Sequence, residues 1–214
     1  MNNNSVTRLC RLLAAGLPLI ALSACNTLRP AATPHPAFYS LNGTQSAAPA
    51  APSAAAPTLI INPPHSAAGF DSPRIIYVRE THKLEYFAHS EWIDPPARML
   101  VPLLVAAVES TGAFRAVVLT PSSASGDMRL DTEILRLQHE FQTQPSRVRF
   151  TLRAYLVDDK TRRVLAWREF DAAIPAASED PYGGVVAANR AVQTVLENLA
   201  AFCAEAARSA RMAK

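Results

Sequence analysis

Cysteine, histidine, the carboxylates and a run of arginines are the side chains through which this sequence could do chemistry, and their spacing decides which chemistry is open. The histidines are His35, His65, His82, His89 and His139. His82 and His89 flank one short strand candidate, with Glu85, Glu91 and Asp94 nearby. No pair has the spacing of H-E-x-x-H, which sets two imidazoles on one helix face for zinc. Both read better as exposed turn residues. A G-x-S-x-G elbow, a G-x-G-x-x-G turn and a P-loop are all missing from the sequence, so neither a strained nucleophile nor a phosphate cradle is indicated. The paired carboxylates Asp158-Asp159 stand in Asp-Asp-Lys-Thr, where they serve a hairpin turn. Gly183-Gly184 opens a helix and could face an anion there, but reads better as a flexible lead-in. No catalytic residue and no metal ligand is expected.

Two surface groups remain. Arg147, Arg149 and Arg153 recur on one parity of a strand. They could dock an acidic partner or lipid headgroups; the plainer alternative is a solvated face paired with acids such as Asp131 and Glu133 on the next strand. Tyr77, Tyr86, Phe87 and Trp92 bring aromatics close to a helix. They could line a groove for lipid or a partner's chain, or serve as core and rim. These seven residues are the candidate partner or lipid surface.

Cys25 carries covalent chemistry. Arg8 and Arg11 give a positive start, Leu12 to Leu22 an apolar run, and Leu22-Ser23-Ala24 small residues before Cys25. That is the layout of an export signal. The apolar run is too short to span a bilayer, which takes about 20 residues. The thiol after Leu-Ser-Ala resembles the bacterial lipobox, whose cysteine takes a diacylglycerol and, once the signal is cut off, an N-acyl chain such as palmitate. Residues 1–24 are therefore expected to be removed and Cys25 to be lipidated. No other cofactor is expected. Asn26 rather than aspartate after the cysteine leans towards the outer membrane in a Gram-negative envelope. Cys10 leaves with the signal, so Cys203 has no partner. A lone thiol in an oxidising compartment should be buried.

Composition bounds the rest. The chain has 214 residues and a formal net charge of +3. Losing Arg8 and Arg11 leaves it nearly neutral, and no basic face is clustered, so nucleic-acid binding is not indicated. Residues 25–37 hold three prolines and read as a lipid tether. One domain is expected over 38–209, with an Ala/Pro-rich loop at 42–57 and a tail at 210–214.

Within the domain, Phe38–Leu41, Thr58–Asn62, Arg74–Arg79 and Leu84–Ala88 read as strands. Asp94 as N-cap with Pro95 at N1 predicts a helix to about Ser110, ended by Gly112, with Pro102 kinking it or loosening one turn. Phe114–Leu119 reads as a buried strand. Met128–Gln142 reads as a long strand whose alternation slips at Ile134-Leu135, which predicts a β-bulge. Arg147–Val157 alternates cleanly, and Arg163–Ile174 returns beside it. A final helix over Pro181–Ser209 carries the stripe Val185, Val186, Asn189, Val192, Leu196, Leu199, Phe202, Cys203 and Ala206. The expected fold is α/β, bordering on α+β: a mixed, largely antiparallel sheet packed by two main amphipathic helices.

Several of these segments together resemble one family. Phe38-Tyr39-Ser40-Leu41 soon after the lipidated cysteine is similar to the Tyr-x-Leu opening of the ABC-type transport auxiliary lipoproteins, the PqiC-like group. Phe70 to Arg79, Leu84-Glu85-Tyr86-Phe87 with Glu91-Trp92 and Pro95 to Leu100, and Gly112 to Val117 follow in that family's order. The likeness spans about 38–205. It implies a mixed sheet flanked by helices. It further implies a non-catalytic role beside an ABC transporter or a mammalian-cell-entry (MCE) domain protein that moves lipids across the periplasm. The expected function is thus an outer-membrane-anchored periplasmic accessory subunit that maintains envelope integrity. Its partners would be the MCE-domain protein, associated transporter subunits and the bilayer, with self-association left open. The alternative is a pilotin-like or envelope-assembly lipoprotein serving another outer-membrane complex.

Overall fold

Strand alternation in the second half of the chain builds the spine of the molecule. The computed structural model describes residues 35–42 and 55–212. The expected signal segment 1–24, Cys25, residues 26–34 of the tether and residues 43–54 of the 42–57 loop lie outside the described residues. The elements run β1 (Ala37–Tyr39), β2 (Thr58–Ile61), β3 (His65–Ser66), β4 (Arg74–Val78), β5 (Glu85–Trp92), α1 (Pro96–Glu109), β6 (Ala116–Leu119), β7 (Met128–Glu140), β8 (Arg147–Asp158), β9 (Val164–Pro175) and α2 (Pro181–Met212).

All nine strands join one open sheet of the α/β class. β7, β8 and β9 form an antiparallel ribbon. On its other edge β7 is shared by three strands in succession, all parallel to it: β2 beside Met128–Leu130, β3 beside Glu133–Ile134, and β4 beside His139–Glu140. Beyond them β6 adds to β2, and β5 then β1 add to β4. The sheet therefore forks at β7. Its longest ladders are antiparallel, while the short flanking pairs are mostly parallel.

The expected bulge is present. Register between β7 and β8 shifts between Ile134 and Arg136. Before it Met128, Leu130, Thr132 and Ile134 are buried; after it Leu137 and His139 are. One extra residue thus keeps apolar side chains on the core face of both halves. Val148, Phe150, Leu152, Ala154 and Leu156 of β8 face the same way and are buried. The hairpin after them closes as its sequence indicates: the Thr161 and Lys160 N–H groups donate to the Asp158 carboxylate at 2.7 and 3.1 Å. Those bonds, Thr161's first, hold the Asp158 carboxyl below the usual range.

Both helices cover this core face. α2 packs on β8 and β9 and against α1. Val185, Val192, Leu196, Leu199, Phe202 and Cys203 of its expected stripe are buried, whereas Val186, Asn189 and Ala206 are only partly so. The helix continues to Met212, past the expected end at Ser209. Its start is a sound cap: Asp180 accepts from Gly183 N–H at 2.7 Å, with Pro181 at the first helical position.

Two expectations need correction. α1 begins at Pro96, not Pro95, and has no side-chain cap. Pro95 precedes a proline and so takes an extended conformation (φ −51°, ψ 136°) that a helix cannot include. Asp94 instead accepts from Arg98 at 3.2 Å. Pro102 lies inside α1, and the helix continues on both sides of it. Finally, β6 is a sheet edge and not a buried strand. Ala116 and Leu119 are exposed, and only Phe114 before them is core.

Candidate functional site

The outer face of the β7–β8–β9 ribbon carries the arginine stripe. Alternation puts Arg147, Arg149 and Arg153 there, away from the helices. Glu140, buried at the end of β7, accepts from Arg147 Nε at 2.9 Å and from Arg149 Nε at 3.1 Å. Burial pushes the Glu140 carboxyl up. The hydrogen bonds from Arg147 and Gln138 and the charge of Arg149 outweigh it and hold the group below its usual range. Arg149 also meets Asp171 at 2.6 Å, and Arg153 meets Glu169 at 3.1 Å and Glu133 at 3.8 Å. Glu133 is one of the two acids expected; Asp131 instead accepts from Asn62 Nδ2 at 2.5 Å. The acids from β9 were not foreseen. Each guanidinium is thus paired with at least one carboxylate within the sheet.

The four aromatics do not form one group. Tyr86 and Phe87 are neighbours on a strand and must point to opposite faces. Tyr86 is exposed beneath the Arg74 guanidinium, 4.2 Å from its ring centre. Trp92 is buried in the main core. Tyr77 and Phe87 pack at 4.6 Å, and Phe141 joins Tyr77 at 5.9 Å and His139 at 4.1 Å. Sequence reasoning gave His139 and Phe141 no role. The signal for them was the parity change at the bulge, which puts 137, 139 and 141 on one face.

His139 is the titratable centre of this cluster. It is buried, and its Nε2 lies 2.8 Å from Ser146 Oγ. Ser146 N–H donates to Glu179 at 2.9 Å. Histidine, serine and carboxylate together suggest nucleophilic chemistry, but Ser146 has no exposed surface, so no substrate reaches its hydroxyl. Burial lowers the His139 pKa, opposed by the Glu179 and Asp180 carboxylates. The fold therefore favours neutral imidazole, whereas the unfolded chain takes its proton near the ordinary value of 6.5. The stability His139 contributes is complete above about pH 6.5 and is lost as pH falls towards the lower folded value. The difference in unfolding free energy between wild type and His139→Phe should accordingly shrink from pH 7.5 to pH 5 in urea titrations. A flat difference would refute a neutral buried imidazole.

Cys203 is fully buried, and burial alone pushes its thiol up to about 12. It is a core residue with little thiolate to react. Between α1 and α2 a cleft of about 280 Å3 is lined by Leu103, Ala107, Val192, Leu196 and Ala200. Among the described residues, no three His, Cys, Asp or Glu side chains converge as a metal site. Among them too, no helix is long and apolar enough to cross a membrane.

Comparison with known proteins agrees with this architecture. The model of a family described as ABC-type transport auxiliary lipoprotein component matches residues 39–200, and the chain belongs to that family. A crystal structure from Xanthomonas campestris has the same fold, with a TM-score of 0.73 and 24% identity; 82% of this chain and 98% of that one are covered. An uncharacterised protein of known structure follows at a TM-score of 0.62 and 12% identity, covering 79% of this chain and 99% of that one. No curated protein matches the chain.

Proposed function

We propose that this protein is a non-catalytic docking subunit, anchored through acylated Cys25 on the periplasmic face of the outer membrane. There it holds the MCE-domain protein of an ABC/MCE-type lipid transport system and so maintains envelope integrity. The observation that carries the reading is the family match across nearly the whole described domain. Two features support it. The chain opens with an export signal that ends at a lipobox cysteine. The domain behind it pairs its stripe arginines internally and closes the Ser146–His139 contact to solvent, leaving surfaces suited to binding.

The full-length lipidated protein, extracted in mild detergent, should co-purify with the MCE-domain subunit and its membrane partners. Deletion should raise envelope permeability to detergents, and the wild-type gene should restore it. Recovery of the lipoprotein without those subunits, with unaltered permeability on deletion, would reject the reading.

A further inference from the structure

We propose that β9 is the partner-binding element, and that it takes an extended segment of another polypeptide as an added strand along its free edge. This inference rests on the docking role proposed above and names its surface.

Three observations meet at β9. The first is an unused ladder. Among the described residues β9 pairs with β8 and with no other strand. Ala176 N–H donates to Ser146 O at 2.8 Å. That bond sets the phase of the antiparallel ladder: even-numbered residues of β9 bond to β8. The N–H and C=O groups of Trp167, Glu169, Asp171 and Ala173 consequently point outward. Pro175, which has no N–H to give, falls on the same outward parity, where proline is tolerated.

The second is exposed apolar surface on that edge. Trp167 is 61% exposed, Val164 54% and Leu165 40%. Trp167 stacks on Tyr155 of β8, with ring centres 6.4 Å apart. The third is a groove of about 380 Å3 between β9 and the C-terminal half of α2, lined by Ala166, Arg168, Phe202 and Ala206. It runs beside the free edge on the helix side, while Trp167 stands on the other side. A strand added to β9 would place alternate side chains in the groove and against Trp167.

Natural sheets blunt long edges with charge, proline or a covering element, because an open edge templates aggregation. β9 has twelve residues and keeps its apolar end bare, which fits an edge that is covered in its working state. The charges select the occupant. Antiparallel self-pairing over the whole strand, centred on Glu169 or on Phe170, sets Glu169 opposite itself or opposite Asp171. Like charges directly opposite destabilise a pair. Glu169 and Asp171 already hold Arg153 and Arg149, so a foreign strand with uncharged side chains passing them, and apolar ones facing the groove, fits instead.

The test uses the purified full-length protein and the periplasmic part of the MCE-domain subunit, followed by amide hydrogen exchange. Addition of that subunit should slow exchange at Trp167, Glu169, Asp171 and Ala173 about tenfold or more. Ala173→Pro removes an outward N–H that β8 does not use, and should weaken binding about tenfold with the Tm unchanged. Trp167→Lys, a change at an exposed side chain, should weaken binding likewise and serves if the proline variant does not fold. Binding without protection at these amides, and undiminished by the variants, would overturn the inference and leave the docking role standing. Absence of any binding would overturn both. Protection that appears without the subunit and grows with protein concentration would assign the edge to a second copy and overturn the inference.

Discussion

Cys25→Ser is expected to abolish acylation and to remove the protein from the outer-membrane fraction. The expectation follows from the arithmetic of lipid anchoring. Each buried methylene contributes about 0.8 kcal/mol, so one acyl chain binds only marginally and two or three hold a domain essentially permanently. Serine has no thiol for the diacylglycerol, and all of the anchor is lost at once. Radiolabelled palmitate should therefore fail to enter the variant. The folded domain should not notice the change, because Cys25 lies ten residues or more before the first described contact at β1. A second form separates anchoring from export: replacing residues 1–25 by the cleavable signal of an ordinary secreted protein should give a soluble periplasmic domain of unaltered Tm. Acyl label in Cys25→Ser, or stable outer-membrane retention of the unlipidated domain, would show that the anchor lies elsewhere.

Gly183→Ala should destabilise the domain by about 3 kcal/mol, combining overpacking of about 1–3 kcal/mol with damage to a cap that contributes about 1 kcal/mol. Gly183 stands in the first turn of α2, and a Cβ there would collide with the backbone carbonyl and side chain of Ser178. Backbone cannot swing aside as a long side chain does. The Ser178–Asp180 segment also donates and accepts within the cap: Ser178 Oγ–H donates to Asp180 at 3.0 Å, and Asp180 receives Gly183 N–H at 2.7 Å. Those bonds, Gly183's first, hold the Asp180 carboxyl below its usual range. Displacing Ser178 would loosen them together. At about 2–4 °C per kcal/mol for a domain of this size, the Tm should fall by roughly 6–12 °C in a calorimetric scan. A fall of under about 2 °C would mean that the turn relaxes freely. Gly184 has a different neighbour, since its Cβ would lie 2.5 Å from His139 Nδ1. The glycine pair, expected to be a flexible lead-in, is instead where the helix closes tightly on the loop before it and on the buried histidine.

Much of the architecture could be read locally. Clean alternation from Arg147 to Val157 placed β8 and its two faces, and the slip at Ile134-Leu135 placed the bulge. The spacing from Val185 to Cys203 placed the helix that covers them. What escaped was non-local. No pattern within Thr58–Ile61 or Arg74–Val78 says that both will pair with the same strand at different heights, so the fork at β7 was invisible. The same holds for the candidate surface. The arginine stripe was legible from parity, but Asp171 and Glu169 became its partners only through the register of β9 on β8. Asn189 is a further case. It sits on the expected apolar stripe, yet its amide accepts from Asn42 N–H at 2.7 Å and donates to Ser40 O at 3.3 Å, fastening the first strand's end to the last helix. A polar residue on an apolar stripe hints at such a bond, but its partner 147 positions away cannot be named from spacing.

The burial of Cys203 bears on how the chain fares in an oxidising compartment. While unfolded, its thiol has an ordinary acidity and can be captured by any disulfide it meets. Once α2 closes on the sheet, burial pushes the thiol up to about 12 and leaves little thiolate to react. Folding thus acts as the protecting group. Cys203, the one cysteine among the described residues, is shielded by packing and not by a disulfide.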